Sequence, residues 1–172
     1  MKVLLVDGYN VLRSGELYAF IDADDHTHDA FNIARQTLVT DVATFAKGSY
    51  QATIVFDGAS NPESTGAVRD VAGVDVVFSP AGKDADSVIE KLAQDAARAG
   101  HEVVVVTSDA HTQWTVFRDR VTRMSAAGFC GEMRAIHREL AESNPQPIVK
   151  TTLAARLDSQ TRAALEQWAR GK

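Results

Sequence analysis

The chain has 172 residues, of which 45% are hydrophobic, and this is the size and composition of one globular domain with a short appendage. It has no run of about 20 apolar residues such as a membrane helix needs, and it begins with a strand pattern instead of a basic, apolar leader. We therefore expect a cytoplasmic protein with no membrane partner. A single cysteine, Cys130, excludes an internal disulfide and a cysteine-rich zinc site.

The net charge of -5 is distributed unevenly along the chain. Residues 1–117 contain 17 acidic and 8 basic side chains, whereas residues 118–172 contain 6 acidic and 10 basic ones. The acidic part is suited to collecting cations, and the arginines of the later part are suited to contacting phosphates. Taken singly, each of these arginines is more typical of a solvated helix face.

Short, nearly continuous runs of β-branched residues recur along the chain, and they predict strands that are buried on both faces of a parallel sheet. The runs are Val3–Val6, Thr53–Phe56, Val74–Phe78, Val103–Val106 and, shorter, Val121–Met124. Helical periodicity separates them, from Phe31 to Phe45, from Asp84 to Ala99 and from about Ser125 to Leu140. This alternation predicts a three-layer α/β/α domain with a mainly parallel sheet of four to five strands.

A tail of residues 145–172 is predicted to follow this domain of residues 1–144. It opens with Pro145-Gln146-Pro147, a stiff extended connector. A polar helix is expected to begin with Asp158 as its N-cap and to use Leu165 and Trp168 as apolar anchors. The tail is therefore predicted to pack as an appendage, on the domain or on a partner.

Carboxylates stand where the predicted strands end. "VLLVD" ends in Asp7, "TIVFD" in Asp57 and "VVVVTSD" in Asp109, and the third strand leads to Asp84 and Asp86 at the start of the next helix. Because parallel strands have their carboxyl ends at one edge of the sheet, we expect these side chains to converge. Each alone has an ordinary role in a turn or a helix cap, but four successive strand ends indicate a site.

Crowded carboxylates repel one another unless a cation or a raised pKa relieves the repulsion. With no histidine or cysteine nearby, an oxygen-only donor set favours Mg²⁺ or Mn²⁺ over zinc. Such an ion lowers the pKa of a bound water and offsets negative charge on a phosphate. The pattern therefore indicates phosphoryl transfer or phosphodiester hydrolysis.

The neighbours of these carboxylates have roles in the same hypothesis. We expect Gly8 to allow close approach of backbone and substrate, and Asn10 to orient a water, an aspartate or a phosphate oxygen. Thr107 and Ser108 are expected to act likewise. Tyr9 has two interpretations, a ring that stacks on a base or a core aromatic, and the second is the more common.

Four segments, "LLVDGYNVL", "IVFDGA", "VVFSPAGKDADSVIEKLA" and "VVVVTSDAHTQ", together resemble the YacP-like branch of the NYN domains, which share the PIN-type nuclease fold. The resemblance covers about residues 1–140, and the closing "LDSQTRAALEQWARG" is similar to the family's carboxyl-terminal helix. It implies a metal-dependent endoribonuclease with acidic residues around one or two divalent ions.

The family's site residues map onto this chain motif by motif. The resemblance implies that Asp7 is the first-strand ligand, that Asp86 is the Ala-Asp carboxylate at the helix start, and that Asp109 is the Thr-Ser-Asp residue. Asn10 matches the asparagine of the first motif, and Asp57 matches the second-strand position as a supporting residue.

Two features depart from the family pattern. Asp84 stands where relatives often have threonine, so it either adds a metal ligand or only caps the helix. The net acidity is unusual for a protein that binds free RNA tightly. Bacterial members are associated with RNA turnover on translating ribosomes, so the resemblance implies mRNA and the ribosome as partners.

The leading hypothesis is an endonuclease for single-stranded RNA that uses Mg²⁺ or Mn²⁺. Its predicted RNA contacts are Thr107, Ser108, Arg118, Arg123, Arg134 and Arg138. A second hypothesis, a PIN-like scaffold that binds RNA or a ribosomal protein without cutting, predicts the same sequence features. A phosphoacceptor domain of the receiver type ranks last, because it requires a lysine at a later strand end, where this chain has Asp109-Ala110-His111.

Overall fold

The structure is a computed structural model that describes residues 2–14, 17–18, 28–58, 64–108 and 120–143, with the backbone alone for residues 28–31. The strands are β1 Lys2–Asp7, β2 Tyr50–Phe56, β3 Val68–Val71, β4 Val74–Phe78, β5 Glu102–Val106 and β6 Val121–Met124. The helices are α1 Gly8–Arg13, α2 His28–Ala46, α3 Ala85–Arg98 and α4 Ala126–Ser143.

The strands form one sheet in the order β3-β4-β2-β1-β5-β6. All neighbours are parallel except β3, which pairs antiparallel with β4. The five apolar runs are therefore strands of a mainly parallel sheet, as predicted. The chain places β2, β3 and β4 on one side of β1. It then crosses over β1 and places β5 and β6 on the other side. Open α/β sheets bind their ligands at the carboxyl ends of strands beside such a reversal.

The predicted number of four to five strands is wrong, because β3 adds a sixth. All four residues of β3 are exposed at the sheet edge, so "VRDV" lacks the continuous apolar run of a buried strand. A two-residue turn, Ala72 with φ 57° and Gly73 with φ 79°, connects it to β4. Positive φ at both positions is typical of a tight hairpin turn. Alanine rarely adopts a positive φ, so the sequence does not predict the hairpin.

The sheet separates two apolar cores. Helices α1, α2 and α4 pack on one face, where Leu4 and Val6 lie, and α3 packs on the other face, where Leu5 lies. Successive strand residues point to opposite faces, and continuous apolar runs serve both cores for that reason. The three-layer α/β/α architecture is confirmed.

Contacts along the chain define two compact units, Met1–His137 and Arg138–Lys172. The first unit contains the sheet and both cores. The predicted connector and final helix lie outside the described residues, so the tail and its boundary at residue 144 stay predictions. Within the described ranges, no helix is long and apolar enough to cross a membrane.

A buried carboxylate connects α2 with α4 in the first core. Asp41 is 4% exposed. One of its oxygens accepts a hydrogen bond from the Tyr18 hydroxyl at 2.8 Å, and the other lies 2.8 Å from Nε2 of His137. Burial is the main cause that raises the pKa of Tyr18 well above its ordinary value, and the Asp41 carboxylate raises it further. Because a buried carboxylate is tolerated only when it is partnered, this network fixes the position of α4 against α2.

Gly8 determines how closely α1 lies against β2. A Cβ atom at Gly8 would lie 2.3 Å from Cε1 and 2.5 Å from Cδ1 of Phe56, whose ring is 1% exposed. The Phe56 ring in turn contacts Tyr9, at 5.1 Å between centroids, and Phe78, at 5.4 Å. The close approach that the sequence predicts at Gly8 is therefore made by a core ring.

We expect Gly8→Ala to lower the free energy of unfolding by about 1–3 kcal/mol, because the confined ring has to shift. The control is Gly131→Ala on α4, where a Cβ atom would meet no atom within 4 Å. That change should raise the free energy of unfolding by up to about 1 kcal/mol, since alanine is the better helix former. Chemical denaturation measures both, and a Gly8→Ala protein as stable as wild type would contradict the confinement.

Candidate active site

Asp7 is both the last residue of the central strand β1 and the N-cap of α1. Its Oδ1 accepts a hydrogen bond from the backbone N–H of Asn10 at 3.1 Å, and the residue is 9% exposed. Burial is the main cause that raises the pKa of Asp7 to about 6, and the charges of Asp86 and Asp57 raise it further. The Asn10 N–H and the Arg13 guanidinium act in the opposite direction.

Asn10 joins the first turn of α1 to the end of β5. Its Oδ1 accepts a hydrogen bond from the backbone N–H of Ser108 at 2.8 Å. Because the partner is a donor, the acceptor has to be the amide oxygen, and this fixes the orientation of the side chain. Asn10 therefore positions the chain that leads into Asp109, which itself lies outside the described residues.

Four carboxylates line a single cleft of about 570 Å³ at the carboxyl edge of the sheet. The described residues that line it are Asp7, Tyr9, Asn10, Arg13, Asp57, Gly58, Asp84, Ala85 and Asp86. The carboxylates come from the ends of β1 and β2 and from the start of α3. The convergence expected from the parallel strand ends is present among these residues.

The other three carboxylates differ in their surroundings. Asp84 is the exposed N-cap of α3, and its Oδ1 accepts the Ser87 N–H at 2.8 Å. Hydrogen bonds from Ser87 lower the pKa of Asp84, so the cap interpretation of this residue has a direct contact behind it. Asp86 is half-buried in the first turn of α3, and Asp57 is exposed directly after β2.

The carboxylates of the cleft are oxygen donors of the kind that a divalent cation binds. Among the described residues, no three acidic, histidine or cysteine side chains are close enough together to hold one metal ion. Mg²⁺, however, usually takes only one or two protein carboxylates and completes its shell with water and substrate phosphate. Burial is the main cause of the raised pKa of Asp7 and the Asp86 charge adds to it, and a cation beside the two carboxylates would favour the ionised form against both. The carboxylates therefore fit a hard divalent ion.

Arg13 brings a positive charge into the acidic cleft, and sequence reasoning missed it. Its guanidinium carbon lies 5.7 Å from the centroid of the Tyr9 ring, four residues earlier on the same face of α1. "DGYN" has the composition of a turn, so the sequence does not predict the helix that brings the two side chains together. The available signal was Asp7, which is a favoured N-cap residue.

The interpretation of Tyr9 as a core aromatic is confirmed, and stacking on a base stays a prediction. Its ring packs against the core residue Phe56, and it also lines the cleft.

None of the residues predicted to contact RNA belongs to the described lining of this cleft. Thr107 is 1% exposed, so its hydroxyl is out of reach of an RNA strand. Three of the residues are exposed: Ser108, Arg123 and Arg134. Arg118 lies outside the described residues, and Arg138 belongs to the second compact unit. RNA contacts by these residues stay predictions.

The chain matches the family model of the YacP-like NYN domain over residues 4–170. It belongs to the YacP-like NYN domain family. NYN domains are a PIN-like nuclease family, and the membership confirms the resemblance drawn from the four sequence segments.

Relatives of this YacP-like NYN domain come from Bacillus subtilis. The protein named "Uncharacterized protein YacP" of strain 168 is 29% identical over 173 residues, which cover 99% of this chain and 98% of the relative. Two crystal structures of Rae1 (YacP) are 26% identical to it. A mutant form has a TM-score of 0.62 over 96% of this chain and 98% of that one. The other has a TM-score of 0.61 over 99% and 96%.

We expect the titration of Asp7 to make stability depend on pH in the absence of divalent ions. The pKa of about 6 in the folded state exceeds the ordinary value of 3.8, so the folded state binds this proton more tightly. The contribution to stability is therefore fully present below pH 3.8 and is lost as the pH rises through 6.

Asp7→Asn, which keeps the cap acceptor, should be more stable than wild type at pH 7.5 in chelator, by roughly 1–3 kcal/mol. The difference should shrink towards pH 4. Urea denaturation across this pH range measures it. A variant that is less stable at neutral pH, or a difference that does not change with pH, would show that the ionised carboxylate is not under strain.

Proposed function

We propose that this protein is a metal-dependent endoribonuclease that cuts single-stranded RNA at the acidic cleft. The observation that carries the proposal is the buried carboxylate of Asp7, which faces the charge of Asp86 in a cleft that also holds a cation, Arg13. Membership of a nuclease family supports the same reaction class. A buried, repelled carboxylate costs stability, and a catalytic role gives a reason for it.

Asp7 and Asp86 are the residues that would hold Mg²⁺ or Mn²⁺, with Asp57 and Asp109 in support. A divalent ion there would supply a lowered pKa for a bound water and an offset for charge on the phosphorus oxygens. Asp7 has to give up its proton to act as a ligand, so cation binding and deprotonation of Asp7 are coupled.

Arg13 and Tyr9 give the cleft the means to hold RNA. The guanidinium is placed to bind a phosphate oxygen, and its position beside the carboxylates brings that phosphate to the reacting centre. The Tyr9 ring offers a surface on which a base can stack. Base faces are accessible in unpaired RNA and not in a duplex, so we propose a single-stranded substrate.

We further propose that the substrate is mRNA presented by the ribosome. The 17 acidic side chains of residues 1–117 weaken the long-range attraction of free RNA. A partner that binds both the protein and the RNA offsets this, because it raises the local concentration of the substrate.

Cleavage should depend on Asp86 and on a divalent ion. We expect Asp86→Asn to slow cleavage of a labelled single-stranded RNA by about 100-fold or more, since several kcal/mol of charge stabilisation is lost. The control is Asp95→Asn, the same charge change on α3 at about 13 Å along the helix, which should leave the rate unchanged. The assay compares free RNA with RNA on stalled ribosomes, with Mg²⁺, with Mn²⁺ and with chelator.

Equal cleavage by wild type and Asp86→Asn in both settings would refute the nuclease. The alternative is a PIN-like protein that binds RNA or the ribosome without cutting. The observation in its favour is that no three acidic, histidine or cysteine side chains among the described residues are close enough to hold one metal ion. Saturable RNA or ribosome binding that survives Asp7→Asn and chelator, with no cleavage by wild type, would establish it.

A further inference from the structure

A second recess lies between α2 and the β3–β4 hairpin, on the face of the sheet opposite α3. It consists of two adjoining cavities of about 640 and 370 Å³ that share three lining residues. These residues are Arg35 on α2, Arg69 on β3 and Phe78 at the end of β4, and we refer to them as the Arg–Phe pocket. The sequence alone predicts no role for them.

The guanidinium of Arg35 is held over an aromatic ring. Its central carbon lies 5.5 Å from the centroid of Phe78, and its Nη2 donates a hydrogen bond to Oδ1 of Asn32. Arg69 is exposed on β3 opposite Val76, two residues before Phe78 on β4. Because paired residues share a face, Arg69 points to the same side of the sheet as Phe78. The pocket therefore combines two cations with one aromatic surface.

Among the described residues, the lining of the pocket carries basic side chains, in contrast to the acidic cleft. None of its described lining residues is acidic. The nearest carboxylates along the hairpin, Asp70 and Asp75, are paired with each other in the register. They alternate with Arg69 and Val76, and so lie on the opposite face of the sheet. The chemistry of the pocket therefore suits an anion that also carries a planar group.

Aromatic contacts connect this pocket with the acidic cleft. The Tyr9 ring, in the wall of the acidic cleft, lies 5.1 Å from Phe56, and Phe56 lies 5.4 Å from Phe78. The central guanidinium carbon of Arg35 lies 5.5 Å from the centroid of Phe78. The path from cleft to pocket is short compared with the roughly 4–16 nucleotides that a single-strand-binding fold covers. An RNA strand of that length is therefore long enough to span the distance between the cleft and the pocket.

Hydrogen bonds at the end of β4 also connect the wall of the acidic cleft with the wall of the pocket. The Gly58 N–H, in the wall of the acidic cleft, donates to Oγ of the buried Ser79 at 2.8 Å. The carbonyl oxygen of Ser79 accepts the hydroxyl of Ser64 at 2.7 Å, and Ser64 lines the smaller cavity of the pocket. Since Ser79 follows Phe78 directly, these hydrogen bonds fix the ring relative to the cleft.

We propose that the Arg–Phe pocket is a subsite for a nucleotide of the RNA strand that is cut at the acidic cleft. Arg35 and Arg69 bind backbone phosphates, and the ring of Phe78 with the guanidinium of Arg35 supports the base. The inference rests on the proposed function for the identity of the ligand. The subsite adds RNA affinity to that of the acidic cleft, where four carboxylates repel the phosphates and Arg13 is the one described basic side chain.

The test measures binding of a fluorescent single-stranded RNA in the Asp86→Asn background at several salt concentrations. We expect the double change Arg35→Gln and Arg69→Gln to weaken binding roughly five- to tenfold and to make the salt dependence less steep by about 0.7 for each phosphate that the protein no longer neutralises. Arg35→Lys with Arg69→Lys, which keeps both charges, should retain most of that slope. Phe78→Leu should weaken binding and leave the slope unchanged.

The matched control is Arg98→Gln. It removes the same charge from the last residue of α3, which packs on the opposite face of the sheet from the pocket. It should change neither affinity nor slope. Circular dichroism and thermal unfolding establish that each variant is folded. Unchanged affinity and slope in the folded double variant would overturn the subsite, as would an equal effect of Arg98→Gln. Unchanged RNA binding, together with an acidic peptide that binds wild type and not the double variant, would make the pocket a protein-docking site instead.

RNA length provides a second readout with active enzyme. The double variant should raise KM with kcat nearly unchanged on a long RNA, and the difference from wild type should disappear when the RNA is shortened from one end only. An equal effect on RNAs of every length would contradict a flanking subsite. If wild type binds RNA without cutting it, the nuclease proposal fails, whereas an arginine-dependent salt slope would still support the subsite.

Discussion

The hydrogen bond from the Asn10 N–H to Asp7 is the interaction on which the site depends. It holds a carboxylate at the end of the central strand, where burial and two other negative charges raise its pKa to about 6. The Asn10 side chain extends the connection to the Ser108 N–H, so that the ends of β1 and β5 are held together. Asp7 and Asn10 together therefore provide a helix cap, a loop anchor and a carboxylate with a raised pKa.

The fold around Asp7 keeps this arrangement in place. The two cores and the parallel register of β1 with β2 and β5 leave Asp7 little freedom to turn towards water. Phe56, beneath Gly8, leaves no room for α1 to move inward. The Asn10 N–H and the Arg13 guanidinium offset only part of the cost of ionising Asp7, and either a bound cation or a proton would relieve the rest. The ionised form of Asp7 therefore lowers the stability of the fold, and such a cost is common at functional sites.

The sequence predicts the parts of the fold that are governed by burial. Continuous apolar runs such as Val103–Val106 are strands because both of their faces are covered. It does not predict β3, whose exposed residues carry no apolar signal, or α1, whose first residues have the composition of a turn. The acidic residues of the cleft can be predicted because each stands at the end of a strand or at the start of the helix that comes after one. Arg13 and Arg35 cannot, because their partners, Tyr9 and Phe78, are brought to them by α1 and by the end of β4.

The central claim is that Asp7 and Asp86 bind a divalent ion in the acidic cleft. The most direct test is anomalous X-ray diffraction from crystals of the wild-type protein soaked in Mn²⁺. We expect an anomalous peak at coordination distance, about 2.0–2.2 Å, from a carboxylate oxygen of each of these two residues. We also expect the peak to be lost in Asp86→Asn crystals. A cleft without a peak at saturating Mn²⁺, or a peak that Asp86→Asn leaves unchanged, would contradict the account.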